Sequence, residues 1–149
     1  MIISYKTEQL SSDTIFGYLT DMDPYLVPTL SSRIDIRSYS EKLHNYATHF
    51  SAWDKDYPVG IALCYFNKPE EGVGYISSFS VRNEYQKKGI AGNLIKKVTK
   101  YAREEHFSKI SLEVYKSNLN AITFYEKNGF KPIYRDITDQ FFSMILILK

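Results

Sequence analysis

Ser80-Val81-Arg82-Asn83-Glu84-Tyr85-Gln86-Lys87-Lys88-Gly89-Ile90-Ala91-Gly92-Asn93-Leu94 runs from an apolar strand through a short basic loop into a long helix. Ile90, Leu94, Val98 and Ala102 step by four along one helical face, and Lys96, Lys97, Lys100, Arg103 and Glu104 cover the other. Amides in the first turn of a helix have no intrahelical acceptor, and the helix dipole places partial positive charge there. Gly89 and Gly92 let a ligand approach the backbone with no Cβ in the way. Lys87 and Lys88 add charge beside the helix start. These features predict a pyrophosphate cradle.

Two familiar phosphate loops are excluded. A Walker loop needs Gly-Lys-Ser/Thr, and no such run occurs. The dinucleotide fingerprint needs three spaced glycines before a helix, and Gly72 and Gly74 have no third. Gln86-x-x-Gly89-x-Ala91 after a strand ending in Val81 instead resembles the coenzyme A loop of the GNAT acetyltransferase superfamily. Leu112-Glu113-Val114, then Asn118, Asn120-Ala121, Phe124-Tyr125-Glu126-Lys127 and Gly129-Phe130, is similar to that superfamily's second motif. The two motifs span residues 73–134 in the expected order; the first 50 residues carry much less of the likeness.

Working outward, Ile2 to Tyr5 reads as a strand and Ser12 to Thr20 as a helix, followed by an irregular segment with Pro24 and Pro28. Ser38-x-x-Glu41 reads as a capping box, with Tyr39, Leu43, Tyr46, Ala47 and Phe50 at helical spacing behind it. Pro58 to Phe66 and Val73 to Val81 form a hairpin across the turn Asn67 to Gly72. A strand over Lys109 to Tyr115 and a helix over Ser117 to Asn128 follow, with Gly129 at a left-handed cap. Strands near Phe130 to Tyr134 and Phe142 to Leu148 close the chain. The order predicts a mixed α/β (α+β) fold with a mainly antiparallel sheet, as the GNAT acyl-CoA N-acyltransferase resemblance also implies. No linker or repeat divides residues 1–149, so one domain is expected.

The resemblance implies acetyl-CoA as cofactor and transfer of its acetyl group to an amine. The strand Ser77 to Val81 then offers its main chain to the pantetheine arm through Phe79, Ser80 and Val81. Gln86, Lys87, Lys88, Gly89, Ile90, Ala91, Gly92 and Asn93 form the loop around the phosphates. Tyr125 matches the superfamily's tyrosine that points at the sulfur, the candidate acid; otherwise Phe124-Tyr125 is a packed helix face. Asn118 both caps the helix carrying Tyr125 and, by resemblance, lies near the coenzyme.

Glu113 projects opposite to Ile110, Leu112 and Val114, so it is either a solvated strand carboxylate or the base that deprotonates the amine. Leu-Glu-Val with a tyrosine twelve residues later is similar to the N-terminal acetyltransferases of ribosomal proteins. Leu30-Ser31-Ser32-Arg33-Ile34-Asp35 with Tyr39-x-x-Lys42-Leu43 resembles GNAT proteins of surface-polysaccharide biosynthesis. By that likeness Arg33, Asp35 and Tyr39 read an amino sugar's hydroxyls; equally, Arg33 and Asp35 form a local ion pair. The acceptor expected is an amino sugar or similar small amine, with a peptide N-terminus as alternative. A non-catalytic acyl-CoA-binding module is the alternative from another class, disfavoured by retention of both Glu113 and Tyr125.

Composition removes other classes. A net charge of +2 with no basic stripe argues against nucleic acid. Cys64 is the single cysteine, which leaves no intrachain disulfide, and His44, His49 and His106 have no ligand spacing, so no metal is expected. The start Met1-Ile2-Ile3-Ser4 lacks a basic head before an apolar run, and Phe141 to Leu148 is far short of the ~20 residues of a membrane span. A cytoplasmic protein, monomer or homodimer, is expected.

Overall fold

Seven strands form one sheet in the computed structural model, which describes residues 1–133 and 140–149. They are β1 (Ser4–Lys6), β2 (Thr48–Asp54), β3 (Tyr57–Tyr65), β4 (Val73–Val81), β5 (Lys109–Tyr115), β6 (Lys131–Ile133) and β7 (Phe141–Ile147). Their order across the sheet is β1-β2-β3-β4-β5-β7-β6. Every neighbouring pair is antiparallel except β4 and β5. That parallel pair needs a crossover, which α3 (Ile90–Glu104) supplies. Helices α1 (Ser12–Met22) and α2 (Ile36–Tyr46) cover one face, and α3 and α4 (Leu119–Lys127) the other. The mixed, mainly antiparallel sheet matches the expectation; Tyr134, the expected end of a strand, lies outside the described residues.

β3 is buried on both faces. Ile61 and Leu63 join Ile15, Tyr18, Leu19 and Leu43 beneath α1 and α2, while Ala62 and Cys64 join Leu94, Ile95 and Val98 beneath α3. Close approach of α3 depends on Gly60, where a Cβ would stand 3.1 Å from Leu94 and 3.4 Å from Ile90. Gly74 is tighter still, because a Cβ there would overlap the edge of the Phe66 ring. That ring is held by Tyr101 at 5.0 Å and Phe107 at 4.9 Å between centroids, so it has little room to yield. Gly74→Ala is therefore expected to cost about 1–3 kcal/mol by overpacking, read as a lower urea midpoint with unchanged slope.

The first half departs from the sequence reading in two places. Asp35, not Ser38, caps α2: its carboxylate accepts the Ser38 amide at 2.9 Å and the Ser38 hydroxyl at 2.7 Å. The helix stops at Tyr46, and Phe50 belongs to β2. Leu43, Ala47 and Phe50 mimic helical spacing, and β2 is buried from His49 through Ala52, so no polar alternation marks it as a strand. The turn into β3 uses Lys55 at φ 55°, with no glycine to announce it.

His49 ties these pieces together. The Leu10 amide can only donate, so Nδ1 accepts it at 2.7 Å and Nε2 donates to the Leu43 carbonyl at 2.9 Å. Burial holds this imidazole below its ordinary pKa near 6.5, and protonation would set an N–H against the Leu10 amide. The unfolded chain then binds the proton first, so stability is full above pH ~6.5 and falls as pH drops below it. Chemical denaturation at pH 7.5 and 5.5 should show that fall, and it should flatten in His49→Gln.

Candidate active site

The cleft begins where sheet pairing stops. β4 and β5 pair over Val73–Lys109, Gly74–Ile110 and Tyr75–Ser111 only. Immediately afterwards β4 bulges: Cys64 of β3 faces Ile76 and Leu63 faces Ser78, leaving Ser77 as the extra residue. A bulge bends its strand and increases twist, which carries β4 away from β5. Two tyrosines from the overlying helices hold the bent strand. Tyr39 donates to the Ser77 carbonyl at 3.0 Å, with the Ser77 hydroxyl at 2.6 Å, and Tyr18 donates to the Ser80 carbonyl at 3.0 Å.

The gap is a cavity of about 350 Å³ between the strands, the segment joining α1 to α2, and the start of α4. Phe79, Ser80, Glu113, Asn118, Tyr125, Arg33 and Tyr39 all line it. Tyr125 lies among Phe79, Phe124 and Phe130, with ring centroids 5.5–6.0 Å away. No hydrogen-bond partner meets its hydroxyl among the described residues, and burial pushes its pKa above the ordinary value near 10. It stays neutral at working pH, a hydroxyl donor at the aromatic end of a cavity whose other walls carry polar groups.

Glu113 stands exposed on β5 and accepts the Tyr75 hydroxyl at 3.2 Å. Burial and this carboxylate together hold the Tyr75 proton in place. Sequence reasoning passed over Tyr75, because only the parallel β4–β5 register, with Tyr75 opposite Ser111, brings it to Glu113. Asn118 caps α4 as expected, its side chain accepting the Ala121 amide at 3.3 Å, and it borders the cavity.

The acceptor-side expectations divide. Arg33 lines the cavity with its guanidinium 5.5 Å from the centre of the Tyr115 ring. Asp35 does not line it; the carboxylate is occupied at the start of α2, and no Arg33–Asp35 ion pair occurs. Tyr39 reaches the cavity with its hydroxyl already bonded to Ser77.

Beyond the C-terminal end of β4 comes the glycine loop, which does not line the cavity. Gln86 acts within the loop: its side-chain amide donates to the Val81 carbonyl at 2.9 Å and to Asn83 at 3.1 Å. Asn93 likewise reaches back to the Tyr5 hydroxyl at 3.0 Å. Lys87 at φ 62° and Gly89 at φ 82° turn the chain into α3. The first rung of α3 runs from the Asn93 amide to the Gly89 carbonyl, so the amides of Ile90, Ala91 and Gly92 precede the ladder. A Cβ on Gly89 or Gly92 would meet nothing within 4 Å, so the face above these amides is open to a ligand. The donor set therefore fits a pyrophosphate.

Arg82 was not anticipated. Only 6 % exposed, it pairs with Asp21 at 2.9 Å, donates to the Pro58 carbonyl at 2.6 Å and lies over Tyr57 and Tyr18. It fixes the exit of β4, and with it the origin of the loop.

A parallel strand pair that parts over a cavity, with a helix start beyond the strand end, defines an acyltransferase fold. Residues 13–130 match the model of the acetyltransferase (GNAT) family, and the chain belongs to that family. It is 29% identical over 93 residues to the uncharacterized N-acetyltransferase YobR of Bacillus subtilis (strain 168). That match takes in 62% of this chain and 36% of YobR, so the chain spans about a third of that relative's length. It is 29% identical over 129 residues to N-alpha-acetyltransferase 30 of Schizosaccharomyces pombe, covering 79% of this chain and 83% of the relative. Among solved structures, the PaiA N-acetyltransferase of Thermoplasma acidophilum in complex with coenzyme A superposes with a TM-score of 0.77. The two share 19% identity across 99% of each chain.

Proposed function

We propose that this chain transfers an acetyl group from acetyl-CoA to a primary amine by direct attack, with both substrates held at once. The parted β4–β5 pair carries this reading, with Tyr125 and Glu113 both lining the gap. Acetyl-CoA supplies the activated acetyl thioester. The amides of Ile90, Ala91 and Gly92, with Lys87 and Lys88 beside them, hold its pyrophosphate. The β4 edge from Phe79 to Val81 receives the pantetheine arm as a further strand would be received.

Glu113, oriented by Tyr75, takes the proton from the amine and passes it to solvent, to which it is exposed. Tyr125 presents its hydroxyl hydrogen to the departing sulfur. The new C–N bond replaces C–S, and no protein thiol takes part. Cys64 is fully buried, its thiol pKa pushed up by burial, and it does not line the cavity.

The acceptor follows from the wall that receives it. Of the hydroxyl-reading set expected for an amino sugar, only Arg33 keeps free donors at the cavity. Leu26, Val27, Ile34 and Phe141 instead suit an amine beside an apolar group, as at a peptide N-terminus. Likeness to an N-alpha-acetyltransferase over most of both chains supports the same reading. The test is CoA release from acetyl-CoA with leucine-initiated peptides and with amino sugars as acceptors. Turnover with the peptides supports it. Turnover with amino sugars alone would restore the polysaccharide reading, and binding without any turnover would leave a non-catalytic acyl-CoA-binding module.

A further inference from the structure

We propose that Arg33 is an anion anchor in the acceptor half of the cleft, so that the acceptor is an α-amine carrying a carboxylate a few bonds away. This rests on the N-acetyltransferase reading above and narrows its substrate.

The backbone at Arg33 is held on both sides. Asp23 accepts the Ser31 amide at 2.9 Å, the Arg33 amide donates to the Leu30 carbonyl at 3.0 Å, and Asp35 caps the helix that follows. Its side chain is thus delivered to the cavity from a fixed turn, over the Tyr115 ring on the opposite strand. Among the described residues the charge has no carboxylate partner. Ion pairs among the described residues are Arg37–Asp13, Lys68–Glu71 and Arg82–Asp21. No side-chain hydrogen bond or ion pair among the described residues engages the guanidinium, so its planar set of N–H donors is available to a ligand. That planar fork matches a carboxylate in bidentate fashion, which a lysine would not do.

Glu113 supplies the opposite charge in the same cavity. Among the described residues, one cavity holds a cation at Arg33 with no ion-pair partner and an acid at Glu113, and the two are not bonded to each other. An acceptor arrives with its amine protonated and meets Glu113 favourably, but Arg33 repels a plain alkylamine. Charge complementarity selects an acceptor bearing both signs. A free amino acid supplies the carboxylate from its own backbone; a peptide supplies it from an acidic second residue.

The test compares matched pairs on the full chain: leucine against leucinamide, and the amides of Leu-Asp-Ala against Leu-Asn-Ala. Turnover is followed by CoA release, and binding to the CoA-loaded protein by calorimetry. The wild-type protein should favour the anionic member of one pair by at least about tenfold, and the pair concerned identifies the source. Arg33→Gln should bring that ratio close to one, and Arg33→Lys should recover part of it. Equal use and equal binding within both pairs would overturn the proposal, as would a preference that survives in Arg33→Gln. Failure of the catalytic reading looks different: anion-dependent binding without CoA release.

Discussion

Tyr125→Phe is expected to lower kcat about 100-fold while acetyl-CoA still binds within about twofold of wild type. The ring makes the packing contacts with Phe79, Phe124 and Phe130, and phenylalanine keeps all of them. What is lost is one hydroxyl that no described residue engages, so neither the fold nor the coenzyme grip depends on it. Burial decides how that hydroxyl acts. A phenol near its ordinary value of ~10 would be within reach of a thiolate near ~8.5, but Tyr125 is pushed higher still. Full proton transfer to sulfur is uphill, and a neutral hydrogen bond from a hydroxyl set among aromatic rings is the larger contribution. The variant is therefore slow and not dead. Steady-state kcat beside a calorimetric acetyl-CoA titration separates the two effects; normal turnover in Tyr125→Phe would remove Tyr125 from the chemistry.

Glu113→Gln is expected to reduce kcat/KM about 100-fold at pH 7, with a change in the shape of the pH profile. Without the carboxylate, only acceptor that is already deprotonated can react. For a peptide α-amine titrating near ~8 that fraction grows about tenfold per pH unit below its pKa, so the variant's rate should climb with unit slope and level off above pH ~8. Glutamine can still accept the Tyr75 hydroxyl, which leaves the wall intact. Tyr75→Phe should cost less than Glu113→Gln and shift the wild-type profile without abolishing its plateau. A Glu113→Gln variant with the wild-type profile would assign Glu113 to the solvated surface.

The second half of this chain was legible because its signals are local. Ile90, Leu94, Val98 and Ala102 pack as their spacing demands, Gly129 takes φ 92°, and Asn118 caps its helix. Those features sit within a turn or two of the residues that announce them. The cleft was legible only in part. That Glu113 and Tyr125 line one cavity followed from motif order, but the cavity exists because pairing fails after Tyr75 and a bulge falls at Ser77, neither of which leaves a mark in sequence. Tyr75 and Arg82 were missed for the same reason, since their partners lie 38 and 61 residues away. In the first half, β2 was hidden by burial on both faces, and Asp35 drew attention as a sugar ligand although its carboxylate belongs to a helix cap.

Thermal unfolding with and without acetyl-CoA, against ATP and NAD as controls, bears most directly on the cradle from which the rest is built. A ligand at about a hundred times its Kd adds roughly 2.7 kcal/mol, which moves the midpoint by several degrees in a chain of this size. That rise is expected with acetyl-CoA alone, and it should be retained in Tyr125→Phe. No rise, or an equal rise with ATP, would contradict it.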